Sequence, residues 1–272
     1  GARISAARMG RAFSIHTFGG YLGFAAAPVV VVGLNEVLGW QLALLAVGLA
    51  GLGISVALFI CRAALFVPPA RASQASGVSA GLALLVSRPL LLAFAFYTLF
   101  ALAQSGINGF TVASLKAIYG FELLTANLPL TVFLIATTAG VLLGGVIADH
   151  TRRHAGVVGI CFLLLAGFGL TVATLALSYW LLLVVFALAG LAAGAITPSR
   201  DMLVRALTPQ GASGRVFGFV TSGFNLAGML APPLFGAIVD VGWPAMVFGL
   251  VALLSLLNLP LVLAAGRPPR KT

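Results

Sequence analysis

Long apolar runs, separated by short breaks rich in charged residues, proline or glycine, dominate the pattern of this chain. A helix that crosses the hydrocarbon core of a bilayer needs roughly 20 consecutive apolar residues. Cutting the sequence at its breaks predicts eight spans: Ala12–Leu34, Trp40–Ile60, Pro89–Ala113, Pro129–Ala148, Val157–Leu177, Trp180–Pro198, Val216–Val239 and Pro244–Ala264. The pattern therefore predicts an all-α polytopic membrane protein with about eight transmembrane helices.

Composition supports this interpretation. Of the 272 residues, 61% are hydrophobic and 7% are charged, and the mean hydropathy is +1.15. Soluble domains keep about 25% charged residues, so most of this surface must face lipid. The net charge of +10 would suggest nucleic acid in a soluble protein. Here the basic residues cluster between the apolar runs, so we expect a lipid bilayer as the partner and no nucleic acid.

The basic residues also predict the orientation. If the spans alternate in direction, 14 of the 15 basic residues fall on one side of the membrane and Lys116 alone falls on the other. Because cytoplasmic loops carry an excess of lysine and arginine, the first side is predicted to be cytoplasmic, with both termini there. We expect the protein in the inner (plasma) membrane of a bacterium.

The longest break in hydropathy divides the chain. It is rich in proline, serine and arginine, which is typical of a linker. We predict the last two helices of an N-terminal half in residues 1–62, a cytoplasmic linker in 63–87 and a C-terminal six-helix bundle in 88–272.

Two segments of the chain are near copies of each other. GRAFSIHTFGGYLGFAAAP begins at Gly10, and GRVFGFVTSGFNLAGMLAP begins 204 positions later. The pairs Arg11/Arg215 and Phe13/Phe217 are identical in register. The copies lie six predicted spans apart and enter the membrane from the same side, which is typical of the parallel repeats of secondary transporters. A six-helix unit leaves the first copy incomplete, so we expect about four further helices before Gly1.

The loop after the fourth predicted span reads GGVIADHTRRH, from Gly144 to His154. It resembles the loop signature of the major facilitator superfamily, G-x-x-x-D-[RK]-x-G-[RK]-[RK], with Gly145, Asp149 and Arg153 in register. His150, Arg152 and His154 depart from it. The resemblance implies a partial fold of that family, helices five to twelve. It also implies a secondary active transporter that moves a small solute by alternating access, with drug or metabolite efflux as one form.

The loop signature predicts a cytoplasmic gate. Gly145 would allow close helix approach. Asp149 could accept bonds from a helix N-terminus or pair with arginine, and the resemblance places the helix that begins near Arg11 beside it. We assign Gly145, Asp149, Arg152, Arg153, Arg11 and Arg215 to this gate. The alternative is that these charges only set topology and solvate the loop.

Polar side chains form two stripes within the spans. Tyr97, Gln104 and Asn108 lie on one face of a helix, because they are seven and four residues apart. Thr221 and Asn225, four apart, form a shorter stripe. Polar side chains that face lipid are costly, so both stripes should face inward. We predict that they line a substrate cavity, with hydrogen bonding between helices as the alternative.

The predicted spans place no Asp, Glu, Lys or Arg at mid-membrane. Coupling residues would then lie outside this chain or coupling would be absent, and protons stay a candidate coupling ion. Arg200, Asp201 and Arg205 are interpreted as a loop-side ion pair with i,i+4 spacing. No HExxH, CxxC or G-x-S-x-G motif occurs, so we expect no enzyme activity, metal or cofactor. We expect a monomer with a small-molecule substrate; the alternatives are a polytopic membrane enzyme and a truncated fragment that does not transport.

Overall fold

A computed structural model of the protein describes residues 9–65, 83–209 and 211–265. These residues form an all-helical bundle. The helices are α1 (Met9–Leu38), α2 (Trp40–Ile60), α3 (Arg62–Leu65), α4 (Arg88–Tyr119), α5 (Leu123–His150), α6 (His154–Thr174), α7 (Tyr179–Ala206), α8 (Ser213–Asp240) and α9 (Ala245–Ala265). Most of the predicted linker, 63–87, lies outside the described residues.

Among the described residues, seven helices are long and apolar enough to cross a membrane: α2 and α4 to α9. The remaining predicted span, Ala12–Leu34, lies within α1, whose 30 residues exceed the roughly 20 that a crossing requires. Large apolar side chains on the outer faces stay exposed, as lipid contact requires, and α2 is the extreme case. Only 6% of its apolar window is buried inside the molecule, against 61% for α4.

Proline positions explain where the helix bounds differ from the predicted spans. Pro89 is the second residue of α4, where its missing N–H costs nothing. Pro129 and Pro198, by contrast, lie inside α5 and α7. In a membrane, neighbouring helices can satisfy the backbone carbonyl that a proline leaves free. The predicted span that begins at Pro129 therefore starts too late, and the one that ends at Pro198 stops too early.

Helices α4 to α9 pack into one unit. The most extensive contacts join α5 to α7, α6 to α9, and α4 to both α8 and α9. Phenylalanines fill the interior, and Phe162, Phe186 and Phe248 are completely buried. Helix α1 packs on α5 and α7, and α2 packs mainly on α1.

Glycines allow α5 and α7 to approach closely. Each helix carries a G-x-x-x-G pair, Gly140 and Gly144 on α5 and Gly190 and Gly194 on α7. A Cβ atom on Gly144 would lie 2.6 Å from the Cα of Ala195, and one on Gly194 would collide with the carbonyl oxygen of Thr137. Small residues at such positions let two backbones come into van der Waals contact, which drives helix association in lipid.

The two copies of the repeat occupy equivalent helices. Gly10 is the second residue of α1, and Gly214 is the second residue of α8. Stacked ring pairs Phe94–Phe219 and Phe110–Phe235 show that α4 and α8 run in the same direction. We call the end of the bundle where α1, α4 and α8 begin the basic end, because Arg11, Arg88 and Arg215 lie there.

The glycine contact between α5 and α7 gives a stability prediction. Replacing Gly194 by valine should destabilise the bundle by about 1–3 kcal/mol, because the new side chain forces two backbones apart. The thermal unfolding midpoint of the purified protein in detergent would fall accordingly. Gly167→Val is the matched control, since Gly167 is exposed and has no atom within 4 Å of its Cβ position. An equal loss in both variants would contradict the close contact.

Candidate functional site

An ion pair joins the start of α1 to the end of α5. Arg11 Nε lies 2.6 Å from Asp149 Oδ2, and the backbone N–H of Arg11 donates to Asp149 Oδ1 at 3.3 Å. Asp149 therefore sits at a helix N-terminus, where backbone N–H groups and the helix dipole favour a negative charge. The structure contains both contacts that the sequence predicted for this carboxylate.

The two partners of this ion pair differ in exposure. The side chain of Asp149 is 2% exposed and that of Arg11 is 51% exposed. Water screens a half-exposed guanidinium, and ion pairs of exposed groups contribute up to about 1 kcal/mol. The guanidinium of this pair is therefore in contact with water, whereas the carboxylate is not.

The other residues assigned to the gate differ in their burial. Gly145 is buried, and its neighbour Gly144 is one of the glycines at which the backbones of α5 and α7 approach closely. Arg152 and Arg153 are exposed, and the backbone N–H of Arg153 donates to Thr151 Oγ1 at 3.0 Å. Arg215, the counterpart of Arg11 in the second repeat, has an exposed side chain at the start of α8.

One pair of equivalent residues from the two repeats is in contact. The rings of Phe13 on α1 and Phe217 on α8 stack with their centroids 6.0 Å apart and an interplanar angle of 22°. Both rings are half-buried at the basic end. The two rings therefore bring the starts of α1 and α8 into contact.

A second charged cluster lies inside the bundle. Asp201 Oδ1 accepts a hydrogen bond from the Tyr97 hydroxyl at 2.8 Å and bonds from Arg200 Nε at 3.0 Å and Nη2 at 2.9 Å. Tyr97 is completely buried, and Arg200 and Asp201 are 7% and 8% exposed. The cluster joins α7 to α4 through Tyr97.

Aromatic rings enclose the guanidinium of Arg200. Its Cζ lies 4.3 Å from the centroid of the Tyr97 ring, 5.2 Å from that of Phe224 and 5.7 Å from that of Phe100. A cation within about 6 Å of a ring face is attracted by the ring quadrupole, most strongly where water is excluded. The rings come from α4 and α8, so the charge of Arg200 is held by three helices.

This cluster overturns the prediction that Arg200 and Asp201 form a loop-side pair with Arg205. Both lie within α7, and Asp201 pairs with its neighbour Arg200 instead. Arg200 is six residues from the end of α7 at Ala206, or about 9 Å. Tyr97 lies nine residues into α4, or about 14 Å from the basic end. Helix α7 therefore carries two buried charges between its middle and its basic end, beyond Pro198, where the predicted span ended.

The predicted cavity stripe on α4 changes in exposure along the helix. Tyr97 is buried, Gln104 is half-buried and Asn108 is exposed. The Oε1 atom of Gln104 is buried and has no hydrogen-bond partner among the described residues. An amide oxygen in that condition can accept a hydrogen bond from a bound solute or water.

The stripe on α8 follows the same trend. Thr221 is half-buried, and its hydroxyl donates to the Phe217 carbonyl of its own helix at 2.7 Å. Asn225, one turn farther from the basic end, is exposed. Both stripes thus become more exposed with distance from the basic end.

Comparison with known protein families matches residues 93–272, about two thirds of the chain, to the Major Facilitator Superfamily. The chain belongs to the major facilitator superfamily. Together with the apolar helices, this makes it an integral membrane transporter of the facilitator type. A comparison with curated proteins gave no match.

Sequence reasoning missed the charged cluster of this facilitator because its members are far apart in the chain. Tyr97 and Asp201 are separated by 104 residues. The available signal was a pair of adjacent opposite charges directly after the apolar run that ends at Pro198. A proline and two charges together are typical of a loop, so the pair was assigned to one.

We expect the two charges of the cluster to contribute unequally to the stability of the fold. Arg200→Leu should destabilise the facilitator by about 3–5 kcal/mol, because it leaves a buried carboxylate without its cation. Asp201→Asn should cost only about 1 kcal/mol, because the three rings still hold the guanidinium. Thermal unfolding midpoints of both variants in detergent measure the difference. Equal losses would show that the rings do not compensate.

Proposed function

We propose that this facilitator is a secondary active transporter that moves a small solute by alternating access. The observation that carries the proposal is the meeting of α1 and α8, the two equivalent repeat helices, at the basic end. There Phe13 stacks on Phe217, and Arg11 ties α1 to Asp149 on α5. Alternating access needs such a contact, which must be closed in one state and open in the other.

The phenylalanine pair is placed where a gate would act. Parallel repeats are related by an axis along the membrane normal, and the transport path follows that axis. A residue that touches its own symmetry mate lies beside the axis. Phe13 and Phe217 therefore close the path at the basic end, and the gate comprises them together with Arg11 and Asp149.

The polar stripes support a cavity that opens away from this gate. Gln104, Asn108 and Asn225 offer amide donors and acceptors, and the rings of Tyr97 and Phe224 lie at its base. Amides beside aromatic rings suit a neutral or amphipathic small molecule. Export of a drug or metabolite is the form of transport that we favour.

Charge supports an orientation for this cycle. The excess of arginine at the basic end assigns that end to the cytoplasm, together with both termini of the chain. Tryptophans Trp40, Trp180 and Trp243 are exposed at the opposite end, where their amphipathic rings suit the membrane–water interface. The inferred setting is a bacterial plasma membrane, and a monomer has all the helices that the gate uses.

Linking the gate chemically should stop transport. Phe13→Cys/Phe217→Cys, built into the full gene product with Cys61 and Cys161 replaced by serine, should react across the gate with a short bifunctional methanethiosulfonate. We expect uptake of a panel of labelled neutral and amphipathic solutes into lipid vesicles to cease on linking. Reduction with dithiothreitol should restore it.

The matched control links two residues within the six-helix unit. Phe94→Cys/Phe219→Cys replaces another stacked pair, with centroids 5.1 Å apart on α4 and α8, and should react without loss of uptake. Uptake that continues with the gate linked would refute alternating access at this end.

The ion pair of the gate gives a separate prediction. Asp149→Asn should slow the linking of Phe13→Cys/Phe217→Cys by up to about fivefold, because a pair worth up to about 1 kcal/mol no longer favours the closed gate. Linked peptides counted by mass spectrometry over time measure this rate. The rate for Phe94→Cys/Phe219→Cys should not change. An unchanged rate at the gate would leave Asp149 with a topological role only.

A further inference from the structure

We propose that the first turns of α5, residues 123–128, form a flap that bends about Pro129 and is latched to α7 by the hydroxyl of Tyr179. The flap lies at the end of the bundle opposite the basic end, which we call the far end. There α4 and α6 end, and α5 and α7 begin. The inference rests on the transport function proposed above and adds a moving part at the end where the proposed cavity opens.

Pro129 interrupts the hydrogen bonding of α5 near its start. In an α-helix each N–H donates to the carbonyl four residues earlier, and proline has no N–H. The carbonyl of Thr125 therefore lacks its usual partner within α5, although the helix continues from Leu123 to His150. Helices bend most sharply at such positions. The sequence thus builds a hinge seven residues into the helix.

Tyr179, the first residue of α7, supplies the missing donor. Its hydroxyl donates to the carbonyl oxygen of Thr125 at 3.2 Å. In a membrane protein, a neighbouring helix can satisfy a carbonyl that a proline leaves free. Because this bond crosses from α7 to α5, it also holds the flap at the point where the bonding within α5 is interrupted.

Aromatic rings hold Tyr179 in place independently of its hydroxyl. Its ring packs edge-on against Phe121, with centroids 5.5 Å apart, and against Trp180 at 5.9 Å. Phe121 in turn stacks on Tyr119 at 5.0 Å. Contacts of this kind depend on the rings alone. Removing the hydroxyl of Tyr179 should therefore leave its ring where it is, which separates the latch from the packing.

The loop that precedes Tyr179 is fixed by a different tyrosine. The hydroxyl of Tyr119 donates to the carbonyl of Leu175 at 3.4 Å and accepts from the N–H of Leu177 at 3.3 Å. These bonds tie the end of α4 to the loop between α6 and α7, and neither involves α5. Tyr179 therefore offers the flap an anchor that is itself held to α4.

The latch lies where it can open at low cost. Thr125 is two residues from the start of α5, about 3 Å along the helix axis, and both Thr125 and Tyr179 are half-buried. Trp180 beside them is 76% exposed, as suits the membrane–water interface. A water molecule can replace the tyrosine hydroxyl at that depth, so the released carbonyl stays hydrogen-bonded.

Little packing opposes a movement of the flap. Leu123, Leu124 and Leu128 are 64%, 83% and 43% exposed within the described part of the chain. Beyond the hinge, by contrast, Gly140 and Gly144 bring α5 into backbone contact with α7. Bending about Pro129 therefore moves the flap and leaves the rest of α5 in place. The far end must narrow when the gate at the basic end opens, and the flap can contribute to that change.

Hydrogen exchange followed by mass spectrometry tests the latch in the full gene product without a known solute. Tyr179→Phe should speed the exchange of the amides of residues 126–128 about fivefold, the factor that corresponds to a hydrogen bond of about 1 kcal/mol. Amides of α5 beyond Gly140 should not change. Tyr119→Phe is the matched control, because it should speed exchange at Leu177 and leave the flap unchanged.

A second substitution distinguishes a latch from general support of the fold. In Pro129→Ala, residue 129 gains an N–H that can donate to the Thr125 carbonyl, so the Tyr179 hydroxyl is no longer needed. Tyr179→Phe should then have no effect on exchange in the flap. Equal acceleration with and without Pro129→Ala, or an unchanged flap in Tyr179→Phe alone, overturns the proposal.

Uptake of labelled solutes into lipid vesicles tests the role of the hinge in the cycle. Pro129→Ala should slow uptake, because the flap no longer bends, whereas Tyr179→Phe should not slow it. Uptake at the unmodified rate in Pro129→Ala would refute a role for bending in transport. A latch confirmed by exchange in a protein that moves no solute would instead contradict the transport function.

Discussion

The contact between α5 and α7 is the constraint on which both candidate sites depend. Glycines on each helix let the backbones touch, so the two helices form a closely packed pair. Helix α5 ends in Asp149 and α7 carries Asp201 near the same end. Helix α1 packs on both. The residues of the proposed gate and the buried charges therefore lie on one pair of packed helices.

The two acids have different surroundings in the apolar bundle. Asp149 is buried but lies at a helix N-terminus, with a half-exposed arginine that water can solvate when the pair opens. Asp201 lies deeper, and its cation is enclosed by aromatic rings rather than by water. The first arrangement suits a contact that breaks and re-forms as helices move. The second suits a contact that holds α4, α7 and α8 together.

Most of the fold could be predicted because a bilayer permits few backbone structures. Backbone groups in a bilayer must be paired within each helix, so apolar runs of sufficient length give the helices directly. The contact of Asp149 with the start of α1 could be expected from the loop signature and the repeat. Tyr97, Arg200 and Asp201 were not brought together, because prolines and charges end a predicted span while the real helix continues through Pro198. Only packing reveals that a tyrosine on α4 stabilises charges on α7.

The repeat explains the position of the proposed gate. An axis that relates Phe13 to Phe217 passes midway between their rings. Because the two centroids are 6.0 Å apart, each lies no farther from the axis than half that distance. Any movement that separates the two repeats at this end must break that contact. Arg11 and Arg215 occupy equivalent positions, yet Arg11 pairs with Asp149 while the side chain of Arg215 is exposed. The apolar contact thus uses one residue of each repeat, whereas the described ion pair uses the arginine of the first repeat alone, so the two repeats are not equivalent at this end.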